Sequence, residues 1–137
     1  MPDLLAHYAV SFLVASRFFG FRVSAVIALS GLLPDVDALL MVHRWVTHSF
    51  VSVLVFGVIV LLVTARLSRP YLAYVAVALS LYSIHIIMDV FTAPTPILWP
   101  LTRSSYTVNV NVNGILSHEG AALVPAVSIE SMPADFT

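Results

Sequence analysis

Apolar side chains gather into four long runs, with few polar positions between them. The first covers about residues 4–19 and is interrupted by His7. The second covers 23–42 and contains Gly31, Pro34, Asp35 and Asp37. The third covers 45–65 and is uncharged apart from His48 near its start. The fourth covers 71–91, with His85 and Asp89 near its end. The links at 20–22, 43–44 and 66–70 are short, which makes consecutive helices antiparallel neighbours. Pro34 disfavours helix at Leu33, so the second run is predicted to break over 31–34.

The pattern changes after Phe91. Pro94, Pro96 and Pro100 remove backbone donors and fix φ, so that stretch is not helix interior. Residues 106–114 then alternate apolar and polar with period two, which predicts a strand ending in a turn at Gly114. Residues 128–137 read as a loose end. The fold class that follows is an all-α membrane protein: a bundle of about four transmembrane or re-entrant helices with a short β-like C-terminal tail. Its division is residues 1–103 as a membrane-embedded helical metal-site domain and residues 104–137 as an extramembrane tail.

Composition supports lipid as the solvent. The chain has 137 residues, 60% hydrophobic and 9% charged, against roughly 45–50% and about 25% in soluble domains. Its mean hydropathy is +0.99. A net charge of -1 excludes the basic surface that nucleic-acid binding needs. No positive n-region precedes the first run, which therefore reads as retained and not as a cleaved signal. Arg17, Arg22, Arg66 and Arg69 fall at one end of the bundle, Arg44 and Arg103 at the other. The positive-inside rule makes the first end cytoplasmic and puts the C-terminal tail outside. Trp45 and Trp99 read as interface anchors.

That topology brings His7, Asp35, Asp37, His48, His85 and Asp89 to similar depth near the outer surface. Ionisable groups within spans cost about 2.5–3.5 kcal/mol each at a helix centre and are by default functional. Alone, a His is more often a packed, hydrogen-bonded residue, and an Asp after Pro a helix cap. Six such groups at one depth favour a metal site. His85 and Asp89 are four apart, so on a helix they share a face with Cβ atoms about 5–6 Å apart. With no Cys in the chain, imidazole and carboxylate donors suit a divalent metal, zinc first, with manganese or iron as alternatives. His43, in the loop, and His118 beside Glu119 read as solvated surface residues. Thr47 and Ser49 flank His48; they read as groups that orient a ligand or bridge to water or, more simply, as caps of the third helix.

The order Leu33-Pro34-Asp35-Val36-Asp37, His43-Arg44-Trp45-Val46-Thr47-His48-Ser49, His85-x-x-x-Asp89 and Leu98-Trp99-Pro100-Leu101, after His7, resembles the YdjM family. This is a group of membrane-bound proteins classed as metal-dependent hydrolases, and the resemblance covers about residues 1–103. That family is distantly similar to zinc-dependent phospholipases C and related single-strand nucleases. There, an N-terminal His, an Asp, a later His and a helical His-x-x-x-Asp bind zinc ions. The resemblance implies His7, Asp35 or Asp37, His48, His85 and Asp89 as ligands, with Asp89 able to bridge two ions. Those enzymes carry a further His shortly after a Thr-Pro. Here Thr95-Pro96 is followed by Ile97-Leu98-Trp99, so the His for a third ion is missing.

The expected function is metal-dependent hydrolysis of a phosphoester, with membrane lipid as neighbour and a lipid headgroup as the natural substrate. Whichever of Asp35 and Asp37 is not a ligand is expected to take the proton of the attacking water, with Asp37 the named candidate. Arg44 reads either as a positive-charge anchor or as the group expected to steady the phosphate. One alternative is a non-catalytic membrane protein with a structural metal or a partner-binding site. Another is an ion-coupled transporter, against which stand the nearly pure apolar inner halves of the third and fourth runs.

Overall fold

The computed structural model describes residues 4–40, 46–117 and 120–134, with 37–40, 115–117 and 120–122 described by backbone alone. Helix α1 is Leu4–Ala15 and α2 is Phe21–Ile27. From Ala28 to Leu40 the chain winds as a 3-10 helix with Pro34 inside it. A 3-10 turn at Val46–His48 leads into α3, Phe50–Leu67. A further turn at Arg69–Tyr71, opened by Pro70, leads into α4, Leu72–Val90. Strands β1, Ser104–Ser117, and β2, Gly120–Pro133, close the described chain.

The helices are inside-out by the standards of a soluble domain. In α3, Leu54, Val55, Phe56, Ile59 and Leu62 are all exposed, while the buried residue is Gly57. In α1 the buried residues are His7, Ser11 and Ala15, at i, i+4 and i+8, and Leu5 and Leu13 point outward. In α1 and α3, polar and small side chains therefore face the protein interior and large apolar ones face out, whereas α4 also buries Leu81 and Ile86. Lipid rewards that arrangement and water penalises it.

Two helices are long and apolar enough to cross a membrane, Phe50–Leu67 and Arg69–Val90. At 1.5 Å per residue, 18 residues extend about 27 Å, close to the roughly 30 Å hydrocarbon layer. The expected all-α bundle of four membrane segments is overturned. Helix α1 has 12 residues, about 18 Å. The second apolar run is divided between a 7-residue α-helix and the 3-10 helix. The break comes at Ala28, a turn before the expected 31–34. The chain is also not all-α, because β1 and β2 are 14-residue strands paired antiparallel from Ser104–Pro133 to Ser117–Gly120. The strand runs past Gly114, and residues 128–133 pair with β1 where a loose end was expected. Alternation in 106–114 was legible, but the partner strand was not. Residues 120–133 mix small, polar and apolar positions without clean alternation, and only pairing with β1 makes them a strand.

The 3-10 helix packs mainly on α4 and α1, and α3 packs on α4. Gly31 permits a close crossing of the 3-10 helix over α1. A Cβ there would overlap Ser11 Oγ and lie 2.9 Å from Ser11 Cβ. Tyr8 donates to the Ala25 carbonyl at 3.1 Å, and Ser30 donates to the Ala78 carbonyl at 3.3 Å. The proline-rich loop after α4 folds back onto the start of α3. Phe50 N–H donates to the Ile97 carbonyl at 2.9 Å, and Ser49 Oγ donates to the Trp99 carbonyl. The same loop roots the hairpin through reciprocal Thr95–Tyr106 backbone bonds of 3.0 and 2.9 Å.

Candidate metal centre

Helix α4 supplies two of the site's side chains by its own geometry. His85 and Asp89 are one turn apart and both are buried. The Asp89 carbonyl ends the helix just beyond them. It accepts from Thr92 N–H at 3.0 Å, Ala93 N–H at 2.9 Å and the Thr92 hydroxyl at 3.1 Å. His48 arrives from the turn that precedes α3. Ser49 caps that helix, its Oγ accepting from Val51 N–H at 3.2 Å and Ser52 N–H at 3.4 Å, as the Ser/Thr preference for this position leads one to expect. Because α3 leaves the site and α4 returns to it, the start of one and the end of the other lie side by side. Asp35 follows the buried Pro34 in the 3-10 helix, and His7 comes from α1.

Four donor atoms form a compact set. His48 Nε2 is 3.8 Å from Asp35 Oδ1 and 3.2 Å from Asp89 Oδ2. His85 Nε2 is 3.5 Å from Asp35 Oδ1 and 3.9 Å from Asp89 Oδ2. Ligand atoms from the four residues all lie within 4.8 Å of one another. Four ligands on a tetrahedral ion at bond lengths near 2.1 Å are roughly 3.4 Å apart, so these separations suit one ion at the centre. His85 supports the fit from another direction: its Nδ1 and Nε2 are buried and make no hydrogen bond among the described residues. Buried imidazole nitrogen normally has a partner, and a cation between Nε2 and the carboxylates would be one.

His7 stands beside this set. Its Nε2 is 3.3 Å from the other Asp89 oxygen, Oδ1, and its ring lies 4.1 Å from the His85 ring, tilted by 38°. Asp89 thus turns one oxygen to the four-atom set and the other to His7. A His held against a ligating carboxylate is a usual second layer of a metal centre. Thr47 does comparable work for His48, with Oγ1 3.1 Å from His48 Nδ1. That contact turns Nε2 toward the carboxylates. Tyr82 holds Thr47 in turn, its hydroxyl donating to the Thr47 carbonyl at 2.8 Å. Ser49 caps α3, and Thr47 takes the other role weighed from sequence, orienting His48. Tyr82 carried a readable signal: it sits three residues before His85, on the same face of α4.

Of the residues proposed from sequence, His7, Asp35, His48, His85 and Asp89 come together. The side chain of Asp37 lies outside the described residues, as do Arg44, His43, Trp45 and His118. Within the set Asp35 alone is partly exposed, at 18%, and His48 and Asp89 are at 0% and 1%.

Comparison with curated proteins and with solved structures gives no match. A family model does match, that of the YdjM inner membrane protein, over residues 4–132. The match takes in α1, the 3-10 helix, both membrane-length helices and nearly all of the hairpin, so every residue of the four-atom set falls inside it. With almost its whole length matched, and with two helices built to cross a bilayer, this chain belongs to the YdjM inner membrane protein family.

Proposed function

We propose that this protein is a membrane-bound, metal-dependent hydrolase acting on a phosphoester at the membrane surface. The observation that carries the reading is the set of two imidazole and two carboxylate donors spaced for one ion, with Asp35 its partly exposed member. A divalent ion bound there, zinc by its nitrogen and oxygen donors, would supply Lewis acidity, activating water near neutral pH and polarising a phosphoryl oxygen. His48, His85, Asp35 and Asp89 hold it. His7 and Thr47 fix the orientation of Asp89 and His48. Asp37, two residues beyond Asp35, accepts the proton of the attacking water, and Arg44, four residues before His48, steadies the phosphate.

The orientation that goes with this reading puts the site and the hairpin on the outer face, with Arg17, Arg22, Arg66 and Arg69 on the cytoplasmic side. The test is elemental analysis of the detergent-purified protein beside Asp89→Ala, followed by a phosphomonoester and phosphodiester screen of the metal-loaded chain. About one metal ion per chain, lost in the variant, with turnover that needs the same ion, is the expected result. Four protein ligands also favour a second reading, since structural zinc sites are closed in this way. A fully loaded protein that hydrolyses nothing and unfolds when the metal is removed would select it.

A further inference from the structure

A groove of about 210 Å³ runs down the flank of the two membrane-length helices, starting at Val46 and Thr47. Val53, Gly57 and Val60 of α3 face Leu79 and Tyr82 of α4 across it. The α3 residues are at i, i+4 and i+7, a single stripe along the helix axis. From Ser52 to Val60 the groove follows the span for about 12 Å. Gly57 keeps its floor open. A Cβ there would already touch the Leu79 methyl groups at 3.4 and 3.5 Å, and any longer side chain would occupy the space.

The two ends of the groove differ. Its deep end is Phe56, Val60 and Leu79. Its mouth is formed by Thr47, Ser52 and the Tyr82 ring, and Thr47 Oγ1 is the group 3.1 Å from His48 Nδ1. A molecule in the groove therefore has its apolar part at hydrocarbon depth and its upper end at the level of the four-donor set. The volume is below the roughly 300–1,000 Å³ of pockets that enclose compact ligands, and the shape is long. The surroundings of α3 and α4 are lipid, which supplies such a chain at high concentration.

We propose that this groove holds one acyl chain of a phospholipid and so presents the lipid's phosphoester end beside His48. The identification of the headgroup end rests on the metal-dependent reading above; the chain-binding groove does not. A flat helix face is also wetted by lipid, but its chains exchange freely. A slot closed by Gly57 and Leu79 contacts a chain on more than one side and retains it.

The experiment is native mass spectrometry of the full chain released from detergent, titrated with dipalmitoyl phosphatidylglycerol. One tightly retained lipid per chain is expected. Val53→Trp, near the mouth of the groove, and Val60→Trp, at its deep end, should each weaken retention by about tenfold or more, equivalent to about 1.4 kcal/mol. Val58→Trp on the exposed flank of α3 should leave it unchanged. Asp89→Asn should keep the lipid while losing the metal. Equal retention by wild type and both groove-filling variants would overturn the proposal, as would loss of lipid in Asp89→Asn, which would mean the headgroup alone had held it. Absence of phosphoester hydrolysis by the wild type tells against the hydrolase reading and leaves the lipid count unaffected.

Discussion

Replacing Asp89 by Asn keeps the side chain's shape and removes its charge, so it separates what the carboxylate does for the fold from what it does for a metal. In the metal-free protein two effects oppose. Asp35 and Asp89 oxygens lie within 4.8 Å, and at an effective dielectric near 20 their repulsion is about 3.5 kcal/mol or more when both are ionised. The substitution relieves it. Against that, one Asp89 oxygen is 3.3 Å from His7 Nε2 and the other 3.2 Å from His48 Nε2, polar approaches that offset part of this repulsion. An amide retains an acceptor on one side and a donor on the other. The two effects act against each other, and the metal-free Asp89→Asn variant should have a stability within about 1 kcal/mol of metal-free wild type. The metal-loaded proteins should differ sharply. Metal at a hundredfold over its Kd stabilises the wild type by about 2.7 kcal/mol. Loss of a charged ligand should weaken binding by at least the roughly 10–100-fold that follows loss of an outer partner. At a hundredfold loss and the same metal concentration, about 0.4 kcal/mol of stabilisation remains. Thermal unfolding in detergent, with chelator and with added zinc, reads both differences. An equal zinc-dependent rise in Tm for Asp89→Asn and wild type would refute the placement of Asp89 at the metal.

Other outcomes follow from the packing around the centre. Gly31→Ala should destabilise the protein by about 1–3 kcal/mol, the usual cost of overpacking, because its Cβ collides with Ser11; Ser11→Gly in the same chain should recover part of the lost Tm, and no recovery would point away from this crossing. Thr47→Val should lower metal affinity about 10–100-fold, the effect expected of a residue that orients a ligand, since it removes the contact to His48 Nδ1; calorimetric titration with zinc checks this, and unchanged affinity would leave Thr47 with no role at His48. Ser49→Ala should cost about 1 kcal/mol through loss of the α3 cap, seen as a lower Tm even in chelator. The chain has no Cys, so single cysteines report topology directly. Ser128→Cys in the hairpin should react with an impermeant maleimide in intact cells and Ser68→Cys only after permeabilisation; the reverse pattern would invert the proposed orientation.

Several features of this protein were already determined by local sequence. Runs 45–65 and 71–91 are apolar over nearly their full length, and lipid burial of such runs needs no tertiary partner to specify it. They emerge as the two membrane-length helices. The four-residue spacing of His85 and Asp89 fixes their common face by helix geometry alone, and Ser49 was a cap by residue type and position. Short links between antiparallel segments were enough to suggest that His7, Asp35, His48, His85 and Asp89 share one depth.

The rest required the tertiary structure, and the reason differs from case to case. The run over 23–42 is apolar enough for a span. Packing of its Gly31 against Ser11, and of its length against α1 and α4, holds residues 28–40 in a 3-10 path that hydropathy does not distinguish from an α-helix. Residues 120–133 become a strand through a register set by β1, a long-range pairing with weak local signal. Shared depth is also much less than coordination. That His48 and His85 reach the same carboxylate oxygens while His7 lies against the other oxygen of Asp89 depends on ring orientations. Thr47, Tyr82 and the closeness of α1 to α4 set those orientations, through contacts between residues far apart in the chain.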